Sequence, residues 1–392
     1  MVEDVIETFR DYLKIRSVHP DPDYDGCVDF VKNKADEYGF KTKILRLDEK
    51  RPVLIVTLEG SEPSLPSILL NSHTDVVPVF EEEWSYDPFG AEMDKEGNIY
   101  ARGTQDMKCV SIAQLEALRR IKFSQVKLKR TVHMTLVPDE EIGGHKGMAK
   151  FVQTQTFKDL NVGFDIDEGC CAPAEDFIVF NNERCSWGVI IHCPGSTGHG
   201  SLPLENTAGE KLRIVIDNFM DRREDEAKNY QGVLHLGDIT TINLTRLEGG
   251  LQNNVIPPEL IVGFDIRIAA DGNHEELEKW IYDVCKKAGE GVYPEFIHKN
   301  PKVPTTLLTN ESPYWSAMES TLKDLGLKYC TLNCPGGTDA RFVRGLGIPA
   351  VGFSSFNLTP IRLHANDEFL NKNIFLTGIS IYEKLIKNVA NV

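Results

Sequence analysis

Several imidazole and carboxylate side chains in this sequence sit where they could do chemistry. His73-Thr74-Asp75 places a histidine and a carboxylate two residues apart. Asp106 follows Arg102-Gly103 at the opening of a helical stripe. Glu140-Glu141 follow Pro138-Asp139, Glu168 follows Asp165 and Asp167, and His364 follows Leu363. Singly, each has an ordinary reading. A His-x-Asp pair past a strand end is commonly a polar turn. A carboxylate at a helix start is favoured by the helix dipole. An acidic pair means little in a chain with 59 Asp and Glu residues. A lone histidine is more often structural than a ligand.

Their placement in the chain changes this. Residues 67–70 form a short apolar run that opens into Asn71-Ser72-His73-Thr74-Asp75. Residues 110–121 carry Ile112, Leu115, Leu118 and Ile121 at helical spacing. Residues 131–137 and 162–166 read as further strands. The alternation predicts an α/β fold with a mostly parallel sheet. Every candidate lies at the C-terminal end of a predicted strand or at the next helix start, and in open α/β sheets these ends converge on one crevice. Two histidines and several carboxylates in one crevice repel and are costly to bury without a compensating cation. Imidazole and carboxylate ligands suit zinc. The count suits two Zn2+ ions about 3.5–4 Å apart, with two terminal histidines, two terminal carboxylates and one shared carboxylate.

Between about Glu183 and Lys302 the pattern changes. A strand over 187–193, a helix over 207–220, strands over 239–247 and 259–269, a helix capped by Asn273 with Glu276 at the capping-box position, and a strand over 292–298 follow in turn. The order β-α-β-β-α-β is that of a ferredoxin-like unit. The α/β pattern then resumes with a helix over 314–325, the turn Gly336-Gly337-Thr338-Asp339 and a strand over 350–353. The expected organisation is a discontinuous α/β catalytic domain, residues 1–184 and 304–392, with an inserted unit, residues 185–303.

The 392 residues exceed what one core usually serves. A composition of 41% hydrophobic and 26% charged residues is that of a globular protein. The net charge of −16 opposes binding to phosphate backbones, so no nucleic-acid partner is expected. The longest apolar runs are strand-sized, so no membrane span is expected. Met1-Val2-Glu3-Asp4-Val5 has no apolar signal core, and Val5, Phe9, Tyr12 and Leu13 fall at helical spacing. The nine scattered cysteines, Cys170-Cys171 included, read as small buried thiols in a cytoplasmic protein.

Three runs resemble the signatures of the M20 metallopeptidase family. They are Asn71-Ser72-His73-Thr74-Asp75-Val76-Val77-Pro78, Tyr100-Ala101-Arg102-Gly103-Thr104-Gln105-Asp106-Met107-Lys108 and Pro138-Asp139-Glu140-Glu141-Ile142-Gly143-Gly144. The resemblance runs from the first helix to the last. It is strongest to the acylases of that family, through Trp84-Ser85-Tyr86-Asp87-Pro88-Phe89, Met107-Lys108-Cys109-Val110 and Asp167-Glu168-Gly169. It implies hydrolysis of N-acyl-L-amino acids. His73 and Glu168 would complete one zinc site and Glu141 and His364 the other, with Asp106 bridging. Asp75 would orient the His73 ring, and Glu140 would be the general base. The insert would be a lid and dimerisation domain of a homodimer, carrying His199 to polarise the substrate and Asn254 and Arg267 to bind it. Thr338 matches a further substrate position. The competing expectations are a dipeptidase or carboxypeptidase of the same family, with the same ligands, and an inactive member serving as a binding protein. The latter is disfavoured because the ligand set and Glu140 are intact.

Overall fold

Successive residues of the central strands are apolar on both faces, and such strands must be covered on both sides. In the computed structural model, which describes residues 2–392, Pro52–Leu58 sends Leu54 and Val56 into one core and Val53 and Ile55 into another. Ser67–His73 divides Ile68 and Leu70 from Leu69 in the same way. Val132–Val137 divides Met134 and Leu136 from Val137. Helices Val2–Leu13, Lys108–Phe123, Pro313–Asp324 and Lys372–Val389 close the larger core. Met148–Phe151, Gln155–Asp159 and Ala340–Arg344 close the smaller.

The eight strands lie in the order Lys41–Arg46, Pro52–Leu58, Val132–Val137, Ser67–His73, Val162–Asp167, Ala350–Phe353, Phe177–Glu183, Tyr329–Cys334. Val132–Val137 through Ala350–Phe353 run parallel. Lys41–Arg46 and Pro52–Leu58 add antiparallel pairs on one side, and Phe177–Glu183 adds one on the other. Ser67–His73 is longer than its apolar run predicts, because Asn71 and Ser72 are buried in polar contacts with Thr135 and Asp167. His73 is therefore the last residue of the strand, where a loop position was expected. The opening pentapeptide falls largely in the first helix, and Met1 lies outside the described residues.

His133 points from Val132–Val137 toward Thr57, its Nδ1 3.0 Å from Thr57 Oγ1. Burial pushes its pKa down to about 4. The unfolded chain, with an ordinary value of about 6.5, takes up that proton first. Stability from this group is complete above pH 6.5 and is lost as pH falls through about 4, by roughly 3 kcal/mol at most. A His133→Gln protein is expected to show a flatter urea-unfolding stability between pH 6.5 and 4. An unchanged slope would exclude this account.

Chain contacts divide the molecule into two units. One takes residues up to Asn181, Pro304–Thr331 and Thr338–Val392; the other takes Asn182–Val303 and Leu332–Gly337. The second unit holds a four-stranded antiparallel sheet in the order Thr241–Gly249, Glu259–Ile268, Cys185–Pro194, Tyr293–Lys299. Trp187, Val189 and Ile191 alternate with Phe264 and Ile266 toward one face, where Val215, Phe219, Ile281 and Val284 of two helices pack. Those helices start where polar side chains cap them. Thr207 forms a full capping box with Glu210. Asn273 accepts from the Glu276 N–H. No helix among the described residues is long and apolar enough to cross a membrane. All nine cysteines are free thiols, with Cys170 and Cys171 buried.

Candidate metal centre

Three parallel strands end side by side, and each is followed at once by candidate residues. His73 ends Ser67–His73. Glu140 and Glu141 form a single 3-10 turn after Val132–Val137. Glu168 follows Val162–Asp167. Asp106 arrives from the loop between Asn98–Tyr100 and the helix Lys108–Phe123, which begins two residues later than its side chain. His364 lies in the loop before Phe369–Asn371, at a φ of 60°.

These residues meet. His73 Nε2 is 3.0 Å from Asp106 Oδ1 and 3.8 Å from Glu168 Oε2. His364 Nε2 is 3.2 Å from Asp106 Oδ2 and 3.1 Å from Glu141 Oε2. Two triads result, His73-Asp106-Glu168 and Asp106-Glu141-His364, each with its ligand atoms within 4.8 Å of one another. Asp106 belongs to both and offers one oxygen to each.

The donor set fits a pair of divalent ions. The Asp75 carbonyl oxygen accepts from His73 Nδ1 at 2.9 Å, so the proton sits on Nδ1 and the Nε2 lone pair faces Asp106 and Glu168. Glu141 Oε1 and Glu168 Oε2 are buried without a hydrogen-bond partner. A buried acceptor left so is costly unless a cation meets it. Burial works against protonation of His73, but the Asp106 hydrogen bond and the charges of Glu168 and Asp106 raise its pKa well above the ordinary value. Hydrogen bonds to Asp106 and Glu141 push His364 up to about 10. Burial pushes Glu168 and Glu141 upward. The carboxylates thus draw positive charge onto the imidazoles, and metal ions would take the place of those protons.

Asp75 acts differently from the expectation for its carboxylate. The carboxylate lies 3.8 Å from His73 Nδ1, and it is the carbonyl that orients the ring. Its two oxygens accept from the N–H groups of Glu140 at 3.2 Å and Glu141 at 3.1 Å. Glu140 is 8% exposed and belongs to neither triad. Burial pushes its carboxyl well up; His73 and Arg341 oppose this, and Asp339 and Glu141 add to it. Thr338 is buried in the turn beside it, and Arg341 ties the Thr338 carbonyl to that of Gly143. Gly144 adopts a φ of 63° where a Cβ would collide with the Asp339 carboxylate.

His199, Asn254 and Arg267 belong to the second unit. Gly198–His199 pairs with Val255–Ile256, and the Asn254 carbonyl accepts from the Gly200 N–H at 2.7 Å, so His199 and Asn254 are neighbours. The Ser201 N–H donates to His199 Nδ1 at 3.2 Å, which leaves the proton on Nε2. Arg267 stands apart on Glu259–Ile268, its Nε donating to Asp265 at 2.9 Å.

Sequence reasoning missed Glu368. Phe369–Asn371 pairs with Asn98–Tyr100, and this brings Glu368 beside the Asp106 loop. Its carboxylate accepts from the N–H groups of Gly103, Gln105 and Asp106 and from Thr104 Oγ1, and it pairs with Arg102 at 2.7 Å. Arg102 in turn donates to the carbonyls of His364 and Ala365. One buried ion pair therefore holds the bridging carboxylate and a terminal histidine together. The signal was Arg102 itself, since an arginine destined for burial needs an acidic partner. A Glu368→Gln protein is expected to lose about 3 kcal/mol in urea unfolding, because it leaves Arg102 buried and uncompensated. It is also expected to bind metal more weakly. Unaltered stability and metal content would refute the coupling.

Comparisons with known proteins place this geometry. Residues 69–388 match the model of Peptidase family M20/M25/M40. The chain is 44% identical over 388 residues to Aminoacylase-1 of Sus scrofa, covering 99% of this chain and 95% of that protein. It is 45% identical over 389 residues to Aminoacylase-1 of Homo sapiens, with the same coverage. The Dictyostelium discoideum Aminoacylase-1 is 43% identical over 401 residues, 99% of this chain and 98% of that one. Among solved structures, an M20 family metallo-carboxypeptidase of Sulfolobus solfataricus superposes with a TM-score of 0.77 at 19% identity, covering 99% of each chain. A dinuclear metal-binding M20 peptidase of Bacillus subtilis does so with a TM-score of 0.71 at 16% identity, covering 98% of this chain and 97% of that one.

Proposed function

We infer, because the chain belongs to peptidase family M20/M25/M40, that its paired triads hold two divalent ions, most simply zinc, and that they serve the hydrolysis of N-acyl-L-amino acids. The enzyme is a hydrolase of the aminoacylase kind. Two triads sharing Asp106 are the observation that carries the metal reading. When bound, the ions would lower the pKa of a water to about 7 and polarise the acyl carbonyl.

The chain's own residues do the rest. Glu140, beside both triads and ligand to neither, takes the proton of the attacking water and returns it to the departing amine. His73 and Glu168 would hold one ion, Glu141 and His364 the other, with Asp106 shared between them. We assign the second unit as a ferredoxin-like lid and dimerisation domain of a homodimer, a reading supported by its four-stranded antiparallel sheet covered by two helices. In it His199, protonated on Nε2, donates to the developing oxyanion. Asn254 binds the substrate, Arg267 pairs with its free carboxylate, and Thr338 lines the site. The division of roles follows residues 1–184 and 304–392 for catalysis and 185–303 for the lid. The free thiols suit a reducing compartment, which we take to be the cytoplasm.

The test is metal content and turnover together. Purified protein should carry two ions per chain, cleave N-acetyl-L-methionine in preference to a panel of dipeptides, and lose activity on chelation. Preference for the dipeptides would move the substrate class to a peptidase. Full activity of metal-free protein would end the metal reading.

A further inference from the structure

The turn that carries Glu140 and Glu141 is held by a segment upstream of the family match, which begins at residue 69. Residues 17–19 run beside Asp75. Val18 and Val76 form a parallel bridge, the Val76 N–H donates to the Ser17 carbonyl at 3.0 Å, and the His19 N–H donates to the Val76 carbonyl at 3.3 Å. This brings His19 Nε2 to 2.8 Å from Asp75 Oδ2. Asp75 is fully buried, and its carboxylate is the acceptor for the N–H groups of Glu140 and Glu141.

The preceding residue is held from the same segment. Asp139 has a φ of 67°, a left-handed conformation that a non-glycine residue keeps only when its surroundings enforce it. Tyr24, at the start of Tyr24–Glu37, accepts from the Asp139 N–H at 2.9 Å and donates to Asp139 Oδ1 at 2.6 Å. Arg51 Nε donates to the other oxygen of Asp139. The N–H groups of Asp139, Glu140 and Glu141 are thus each engaged, the first by Tyr24 and the next two by Asp75. Fixing successive amides fixes the directions in which the two glutamates leave the backbone; Glu141 would be held further by the ion of its triad, whereas Glu140, in neither triad, depends on the backbone alone.

We propose that His19 and Tyr24 are positioning residues for the turn that bears the base, His19 through Asp75 and Tyr24 through Asp139. This rests on the reading of Glu140 as the base. A positioning role makes kcat fall while metal, fold and substrate affinity persist, because misplacing a catalytic group leaves binding intact.

Tyr24→Phe, His19→Ala and His19→Gln should be made in the full chain, with Glu140→Gln beside them. For N-acetyl-L-methionine, kcat is expected to fall about tenfold in Tyr24→Phe and His19→Ala, with KM within about threefold. Metal content and thermal midpoint should stay near wild type, and amide hydrogen exchange over residues 139–141 should quicken. His19→Gln, whose amide N–H can reach the place of Nε2, should recover most of kcat. Wild-type kcat in Tyr24→Phe and His19→Ala, beside an inactive Glu140→Gln, overturns the proposal. So does a loss that tracks metal content or thermal midpoint, or one equal in the Ala and Gln variants. An active Glu140→Gln overturns the underlying base assignment instead. If His19→Ala does not fold, the near-isosteric Tyr24→Phe decides.

Discussion

An Asp106→Asn enzyme is expected to lose both metal ions and at least about three orders of magnitude of activity, some 4 kcal/mol of barrier. The reason is its double membership. Each Asp106 oxygen faces a different histidine, 3.0 Å from His73 and 3.2 Å from His364. An amide keeps the shape but gives up the charge and one of the two acceptors. Both triads then fall from three protein ligands to two. Glu141 and Glu168, each with a buried and unpartnered oxygen, are left with less compensation. A change at a terminal ligand should behave differently. Glu141→Gln touches the triad of Asp106 and His364 alone, so one ion should remain. Metal content by elemental analysis separates the two outcomes. If Asp106→Asn retains both ions, or Glu141→Gln loses both, the shared-ligand arrangement is wrong.

Glu140→Gln should give the second large effect, a kcat loss of about a thousandfold with the metal retained. Glu140 adjoins Glu141 in the chain, yet only Glu141 belongs to a triad. Its backbone N–H stays bound to Asp75 whatever the side chain is, so the substitution should leave the turn intact. Glutamine fills the same volume but cannot take a proton from water. KM should change little, because the loss falls on the transition state and not on binding. Wild-type turnover by the metal-loaded Glu140→Gln protein would exclude Glu140 as the base.

The parallel strands were readable because they are short apolar runs followed by polar residues. Three of the four deliver a candidate at the C-terminal end, His73, Glu140 with Glu141, and Glu168, and Ala350–Phe353 delivers none. The helix cap at Asn273 was readable from local chemistry, whereas the Thr207 capping box emerged only in the fold. The antiparallel edges were not. Lys41–Arg46 is half-exposed and mostly polar, and Phe177–Glu183 finds its partner Ala350–Phe353 far along the chain. The supports of the site were also hidden. Glu368, His19 and Tyr24 act through contacts that span from 56 to 266 positions, and no period or motif marks them. Asp75 was found by its motif, but its use was not. Spacing placed it near His73, and only the fold shows its carboxylate turned toward the amides of the next strand's turn.

Glu368 has a consequence for how the enzyme comes into being. The ribosome releases His73, Asp106 and Glu168 early, and the whole second unit follows before His364 and Glu368 emerge. Until then the loop bearing Asp106 lacks the carboxylate that gathers its amides, and the second triad lacks its histidine. A nascent or C-terminally clipped chain therefore has most of the ligands but no finished receptacle. A chain shortened before Glu368 is therefore expected to purify with less metal than the full chain, which elemental analysis would read.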